Sequence, residues 1–434
     1  MRPTAVPLYI ASGWCALGAA CAFVPALGPA WMLSGSIAAA ILLVDLLTLT
    51  GEHNVELERH VDGNLPISAW SPVTLTVTSR RPGITHLDIF DHVPTSFHVR
   101  GQPSASTQRH GQRTTIQYEV KPVARGDNSF AGTDLLVLSN LGLWKRRFFL
   151  PGRDEVRVYP NFAEVAHYTL LARNDNLEQL GIRHNRRRGQ GNDFLELREY
   201  REGDTFRQID WKATSKRQKL ISREYHDERD QQLIFLVDCG RRMRQIEDGQ
   251  AHLDQALNAM LLLTYVAARQ GDAVGFLAFG GADKWVKPRK GANTVNHILG
   301  QAYDLPSSND TADYLSVARR LLEMQRRRAL VVIMSNTRNE DLDDLLQAIG
   351  LMSRRHLVVL GDLLEPGLER VMHSRVTTLD RALCFQEVLD YLERRRKNHE
   401  LLTHAGAVCF DTNARELPAR LVNRYLDIKR TGSL

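Results

Sequence analysis

Two apolar runs in the second half of the chain end in residues that can do chemistry. Residues 232–240, QLIFLVDCG, lead into Arg241 and Arg242, and residues 329–336, ALVVIMSN, lead into Thr337. As buried strands, these runs would present Asp238, Cys239, Gly240, Arg241 and Arg242 beyond one carboxyl end. Ser335, Asn336 and Thr337 would stand beyond the other. Open α/β sheets hold their ligands at such ends. A thiol beside a carboxylate is the raw material of a nucleophile, yet Cys239 reads better as a small buried residue. Fifteen histidines are present, but no H-E-x-x-H, G-x-S-x-G or paired Cys/His arrangement. His184, His226, His252 and His297 stand isolated and read as surface or loop residues. The expectation is a protein that binds rather than catalyses, with a hydrolase of unknown type as an alternative.

A second concentration of charge spans residues 181–225, GIRHNRRRGQGNDFLELREYREGDTFRQIDWKATSKRQKLISREY. Basic and acidic residues alternate, as on a solvated surface. Phe194, Leu197, Tyr200, Ile209 and Trp211 are interspersed, so part of the segment must pack. Glu202-Gly203-Asp204 reads as a turn, with Arg207, Asp210 and Lys212 available for an ion-pair network. Arg186–Arg188 and the glycines after them are anion ligands by type. The strand–loop–helix setting and the Lys-Ser/Thr pair of a P-loop are missing.

These residues need elements to position them. From Gln231 onward, apolar runs alternate with helical patterns such as Leu253, Ala256, Leu257, Met260, Leu261, Thr264 and Tyr265. Residues 231–434 therefore read as a Rossmann-like, doubly wound α/β domain. Residues 166–230 form the charged connector. Residues 51–165 show short alternating strands, as at Val73, Leu75 and Val77, and Pro66, Pro72, Pro82, Pro94 and Pro103 exclude long helices. That pattern implies a β-sandwich-like domain.

Residues 1–50 hold two apolar stretches, about 8–24 and 30–49, separated by PALGP. They read as a transmembrane helical hairpin with both chain ends on one side; a cleaved signal peptide is the alternative. Gly18, Ala19, Gly35, Ala38 and Ala39 would allow close helix packing, and Trp14 and Trp31 read as interfacial anchors. Asp45 would reach the interface. Lys145, Arg146 and Arg147 read as too distant from the membrane to bear on its orientation. Five scattered cysteines without C-x-x-C spacing exclude a disulfide scaffold or zinc ribbon and favour a reducing compartment for the large C-terminal part. The 434 residues carry 56 Lys+Arg against 50 Asp+Glu, too balanced for a strong nucleic-acid footprint. The basic clusters Arg326–Arg328 and Arg394–Lys397 read as helix-end cations. Binding to anionic lipid or nucleic acid stays as an alternative.

The segment FLELREYREGDTFRQIDWKATSKRQKLISREY, followed by LVDCGRRM, resembles the bacterial domain-of-unknown-function 58 family. Its signature falls on Arg198, Tyr200, Gly203, Asp204, Arg207, Asp210, Trp211 and Lys212. The pattern around Arg125, Gly126, Phe130 and Leu141–Trp144, then VYP at 158–160, is also similar. The resemblance implies a multidomain protein of the bacterial inner (cytoplasmic) membrane, multi-pass, with a von Willebrand factor A-like C-terminal domain. It implies partners more than a reaction: a MoxR-type AAA+ ATPase and other von Willebrand A-domain proteins, in envelope-related assembly or stress response.

A von Willebrand A domain often binds Mg²⁺ through D-x-S-x-S, a later Thr and a later Asp. The matching positions here hold Asp238, Gly240, Arg242, Thr311 and Asn336. Two hydroxyls are absent, one carboxylate has become an amide, and a guanidinium stands where a cation would. Mg²⁺ asks for hard oxygen ligands in octahedral geometry. The expectation is a degenerate site without metal or other cofactor, with Asp238, Arg241, Arg242, Thr311 and Asn336 as partner-binding candidates. In one reading Arg242 takes the cation's place and pairs with Asp238; in the other Asp238 caps the turn that follows it.

Overall fold

The computed structural model describes the chain except residues 22, 25–27, 48, 50–54, 80–83, 110–112, 162–192, 202–205, 207–208, 227–230, 248 and 432–434. Two compact units divide at the junction of Tyr159 and Pro160.

The first unit opens with a short strand β1 (Arg2–Pro3) and two apolar helices, α1 (Ala5–Cys21) and α2 (Gly28–Leu47). Each begins two or three residues earlier than its apolar stretch. Among the described residues only α2 is long and apolar enough to cross a membrane by length and composition; α1 has 17 residues. The tryptophans do not serve as outward anchors. Trp14 and Trp31 stack on each other between the helices, with ring centroids 4.7 Å apart. Each indole N–H donates to the other's backbone carbonyl at 3.1 Å. The glycines make room for this: a Cβ at Gly18 would lie 2.8 Å from Trp31, and one at Gly35 would lie 2.6 Å from Trp14. A stacked pair of this kind contributes about 0.5–1.5 kcal/mol beyond the area it buries.

The described residues of the unit form eleven more strands: β2 (Val55–His60), β3 (Asn64–Pro66), β4 (Ser71–Ser79), β5 (Ile84–Asp91), β6 (Phe97–Arg100), β7 (Ser104–Arg109), β8 (Arg113–Pro122), β9 (Gly126–Phe130), β10 (Thr133–Leu138), β11 (Trp144–Leu150) and β12 (Asp154–Tyr159). They form sheets ordered β1-β11-β10-β5-β7, β2-β4-β8-β6 and β3-β12-β9. Inward residues of all three, including Leu75, Leu87, Tyr118, Phe130, Val137 and Val158, share one core. The turn between β10 and β11 grips the root of the helices. Asp45 is buried there and accepts from Ser139 Oγ (2.5 Å), Leu141 N (2.9 Å) and Leu143 N (3.2 Å). A carboxylate at a helix C-terminus opposes the helix dipole, and these donors offset that. Trp144 Nε1 donates to Leu42 O and Arg146 Nη1 to Leu49 O, tying the end of α2 and the residues just after it to β11. β1 pairs with Trp144 and Lys145. The Lys145–Arg147 cluster therefore lies at the base of the helices rather than far from them.

The first elements described in the second unit are β13 (Asp193–Glu199), α3 (Trp211–Arg217) and β14 (Ile221–His226); β13 and β14 pair antiparallel. The described part of the charged connector is thus a small β–α–β element. Its α/β part comprises β15 (Gln232–Asp238), the two-residue strands β16 (Ile246–Glu247) and β17 (Gln250–Ala251), α4 (His252–Arg269), β18 (Ala273–Phe279), β19 (Lys284–Arg289), α5 (Thr294–Ala302), α6 (Tyr314–Met324), β20 (Leu330–Ser335), α7 (Leu342–Met352), β21 (Leu357–Leu363), α8 (Pro366–Met372), α9 (Leu379–His404), β22 (Ala407–Thr412) and α10 (Leu417–Thr431). The six-stranded sheet runs β19-β18-β15-β20-β21-β22, parallel except for edge strand β19. Alternate strand residues feed two cores. Leu233, Phe235 and Val237 pack with α4, α5 and α10, while Ile234 and Leu236 pack with α6, α7 and Leu402 of α9. The strand order reverses between β15 and β20, which places a crevice between their carboxyl ends.

Candidate functional site

The parallel strands end in a polar row. In register, Ser335 of β20 stands beside Asp362 of β21, and Asp362 beside Asp411 of β22. Asp238 of β15 joins the row through Ser335, whose hydroxyl donates to its Oδ2 at 2.5 Å. Strand alternation places all four residues on one face of the sheet.

At the first end of the row, Asp238 is 2 % exposed. Its Oδ1 accepts from Gly240 N at 2.8 Å, so it does cap the turn that follows. Behind Ser335 stands the buried Tyr314, its hydroxyl 2.7 Å from Ser335 Oγ. Burial holds the Asp238 carboxyl above the usual carboxylate range, against the Ser335 and Gly240 hydrogen bonds and the charge of Arg242. Arg242 does not hydrogen-bond to Asp238, contrary to one of the two expectations. Its guanidinium turns to Asp341 and Glu340 on a three-residue 3₁₀ turn after β20, and reaches Asn336 O at 3.5 Å. Arg241 Nη2 lies 3.4 Å from Glu340.

The residues expected around a metal are brought together, but their chemistry departs from it. Asp238, Gly240, Arg241, Arg242 and Thr311 line one cleft of about 10 Å³, room for roughly one water. Gly240 is held small: a Cβ there would lie 2.8 Å from Asp310 O and 3.0 Å from Asp238 Oδ1. A serine at this position would need the loop to shift. Asn336 is 1 % exposed, and its Nδ2, a donor and not a cation ligand, is buried with no hydrogen-bond partner among the described residues. Cys239 is fully buried, its Sγ facing Val237 O at 3.8 Å.

At the other end, Asp362 is wholly buried and surrounded by donors. It accepts from Thr337 N (2.8 Å), Thr337 Oγ1 (2.5 Å) and His399 Nε2 (2.9 Å), and pairs with Arg395 Nη2 at 2.8 Å. Burial alone would raise this carboxyl, but Arg395, His399 and Thr337 outweigh it and hold it below the usual range. Arg395 is 4 % exposed and also reaches Asp411 Oδ1 (2.6 Å), Thr337 O (3.0 Å) and Leu363 O (3.1 Å). Ligand atoms of Asp362, His399 and Asp411 converge within 4.8 Å, and the Arg395 guanidinium bonds to both carboxylates there. Arg395 sits mid-helix in α9, which continues to His404, so the cluster Arg394–Lys397 does not end a helix. Arg396 pairs with Glu400 at 2.5 Å and Lys397 with Glu393 at 2.8 Å along the same helix.

Between the two ends lies a basin of about 390 Å³, whose walls include Arg242, Glu340, Tyr391, Arg394, Arg395 and Asn398. Sequence reasoning passed over Asp362, Asp411, Arg395 and His399. The available signal was that VVLGD and VCFD close apolar runs with Asp, as LIFLVD does at Asp238.

The signature residues stand on the β13–α3–β14 element. Asp210 caps α3, its Oδ1 accepting from Ala213 N at 2.9 Å, and its own N–H donates to Ile221 O. Tyr200 N donates to Leu220 O, and Arg198 Nη1 to Glu199 O. Ile209 is buried as expected, but Trp211 is 65 % exposed and Lys212 is exposed beside it on the helix's first turn. Gly203, Asp204, Arg207 and the Arg186–Arg188 cluster lie outside the described residues.

A protein of Bacillus subtilis described as "Uncharacterized protein YeaD" is 22% identical over 279 residues, covering 62% of this chain and 67% of that protein. Among solved structures, native alpha-2-macroglobulin from Escherichia coli (MG7 to the C-terminus) is similar at 18% identity over 25% of this chain and 17% of that one, with a TM-score of 0.22. A FixG-related protein from Vibrio parahaemolyticus is similar at 6% identity over 24% of this chain and 95% of that one, with a TM-score of 0.18. Neither score reaches that of a shared overall fold. Residues 196–379, which carry the described signature residues and the Asp238 end of the polar row, match the family described as "Protein of unknown function DUF58".

Proposed function

We propose that this protein is a membrane-anchored, non-enzymatic adaptor whose C-terminal unit is a von Willebrand factor A-like domain with a degenerate metal site. In this reading it works with a MoxR-type AAA+ ATPase and other von Willebrand A-domain proteins, in envelope-related assembly or stress response. The observation that carries it is the occupation of the strand ends by paired guanidinium groups. Arg242 and Arg395 stand among the carboxylates, and both are already bonded to them. A cation so placed repels a metal and recognises acidic groups. Asp238, Thr311 and Asn336 lie near one crevice, in the order a von Willebrand A site would use.

Membrane attachment through α1 and α2, at the bacterial inner membrane, is supported by their composition and by Arg2, Lys145 and Arg146 at their base. Positive charge there favours the cytoplasmic side for both units. A hydrolase is less well supported. His399 is bracketed by Asp362 and by Asp411 at 3.6 Å, and the Thr337 hydroxyl donates to Asp362 rather than to an imidazole. A free basic surface for nucleic acid or lipid is likewise not favoured at Arg395–Lys397, where each cation has a carboxylate partner. The test is affinity purification from native membranes together with metal analysis of the purified protein. The expected result is a co-purifying AAA+ ATPase and no stoichiometric Mg²⁺ or Mn²⁺. Metal bound through Asp238, or an abundant bait with no ATPase, would overturn the reading.

A further inference from the structure

The grip of Arg241 and Arg242 on Glu340 resembles ligand binding within one chain. Glu340 is mostly exposed and sits at the lip of the 390 Å³ basin. Its neighbour Asp341 is far less exposed, pairs with Arg242 and accepts from Arg338 N at 2.8 Å. Asp341 therefore holds the 3₁₀ turn in place whether or not Glu340 stays bound. Arg394, on the basin wall, donates Nε to Asp390 O at 3.2 Å and pairs with no carboxylate among the described residues. Asn398 adds a polar amide to the same wall. At the lip of the basin Arg242, with Arg241 just outside it, holds a tethered carboxylate, and Arg394 on the wall has no carboxylate partner among the described residues.

We propose that Arg241 and Arg242 form a carboxylate subsite that Glu340 fills at rest, and that an acidic segment of a protein partner displaces Glu340 and places a second carboxylate against Arg394. Alternate side chains of an extended peptide fall about 7 Å apart, a step that a basin of this volume accommodates. Glu340 competes weakly, because an exposed ion pair between mobile side chains contributes little. It acts as a threshold: isolated carboxylates do not dislodge it, and a segment that engages Arg394 at the same time does. This inference rests on the adaptor reading for the nature of the partner and names the chemistry by which the partner is held.

The experiment uses the full-length protein in nanodiscs and a fluorescein-labelled hexaglutamate peptide, read by anisotropy at low salt. Glu340→Gln is expected to tighten binding by about two- to five-fold, the fold-change equivalent of one exposed ion pair. Arg394→Gln is expected to weaken it by at least a similar factor. Both side chains lie at the surface, so folding is expected to be retained, as circular dichroism would show. An unchanged or weaker affinity in Glu340→Gln, or no loss in Arg394→Gln, overturns the subsite. If the subsite fails while the wild type still brings down an ATPase from native membranes, the adaptor reading stands alone. If hexaglutamate behaves as expected but no ATPase co-purifies, the subsite stands and the ATPase partnership falls.

Discussion

Asp238 and Asp362 occupy corresponding places two strands apart on one sheet face, and their surroundings treat them in opposite ways. Asp362 has a buried guanidinium in hydrogen-bond contact, an imidazole and a hydroxyl, and its carboxyl is held below the ordinary range. Asp238 has a hydroxyl and one backbone N–H; the nearby Arg242 directs its hydrogen bonds elsewhere, and burial leaves the carboxyl raised. The same side chain at equivalent strand ends is thus a fixed anion in one place and a poorly stabilised one in the other. The difference lies in where each arginine spends its donors. At the Asp362 end the arginine is spent on the row itself, and at the Asp238 end Arg242 is spent on Glu340 and Asp341 outside the row.

The largest effect should come from removing the cation at the stable end. Arg395→Met leaves Asp362 buried without its guanidinium and is expected to destabilise the second unit by about 3–5 kcal/mol, measured by urea unfolding. Gly240→Ser introduces a serine where the D-x-S-x-S pattern has one but drives a Cβ toward Asp310 O. We expect a loss of about 1–3 kcal/mol and no gain in Mg²⁺ affinity, checked by calorimetry; a metal-binding Gly240→Ser protein would erase the contrast between the two ends. Asp238→Asn should have the smallest effect and the opposite sign to Arg395→Met: stability at pH 8 unchanged or raised by up to about 1 kcal/mol.

Titration separates the two ends further. A depressed carboxyl contributes stability that is present above its unfolded pKa and is lost as pH falls through the folded one, so the Asp362 contribution disappears on acidification. A raised carboxyl contributes stability below its unfolded pKa that is lost as pH rises through the folded one. The wild type should therefore lose stability relative to Asp238→Asn as pH climbs out of the ordinary carboxylate range. Denaturation midpoints of both proteins across pH 4–8 check this; parallel curves would show that Asp238 is ionised as readily in the folded chain as in the unfolded one.

Legibility in the sequence followed range. Apolar runs and 3–4 spacing are local, so the strands ending at Asp238 and Ser335 and the helix at 252–269 could be read directly. Gly240 and Asn336 were legible from their position after strands, whereas Thr311, between two helices, was named only through the resemblance to the von Willebrand A pattern. The partners of Arg242 lie about a hundred residues away at Glu340 and Asp341, and nothing local marks them. Arg395 was hidden in a run of like charges, since composition does not say which member of Arg394–Lys397 points inward. The tryptophans misled for a related reason: an indole suits a lipid interface or a glycine-lined helix contact equally, and only the second helix decides.

The grip of the β10–β11 turn on Asp45, Leu42 and Leu49, with β1 paired beside it, bears on how motion would pass through the first unit. A flexible leash would let the β-rich part tumble beneath a bilayer. Here both helix roots are bolted to one sheet edge, so a tilt of the helices must turn that sheet with them. For a chain inserted through these helices, lipid thickness and lateral pressure become inputs that the β-rich unit feels as torque.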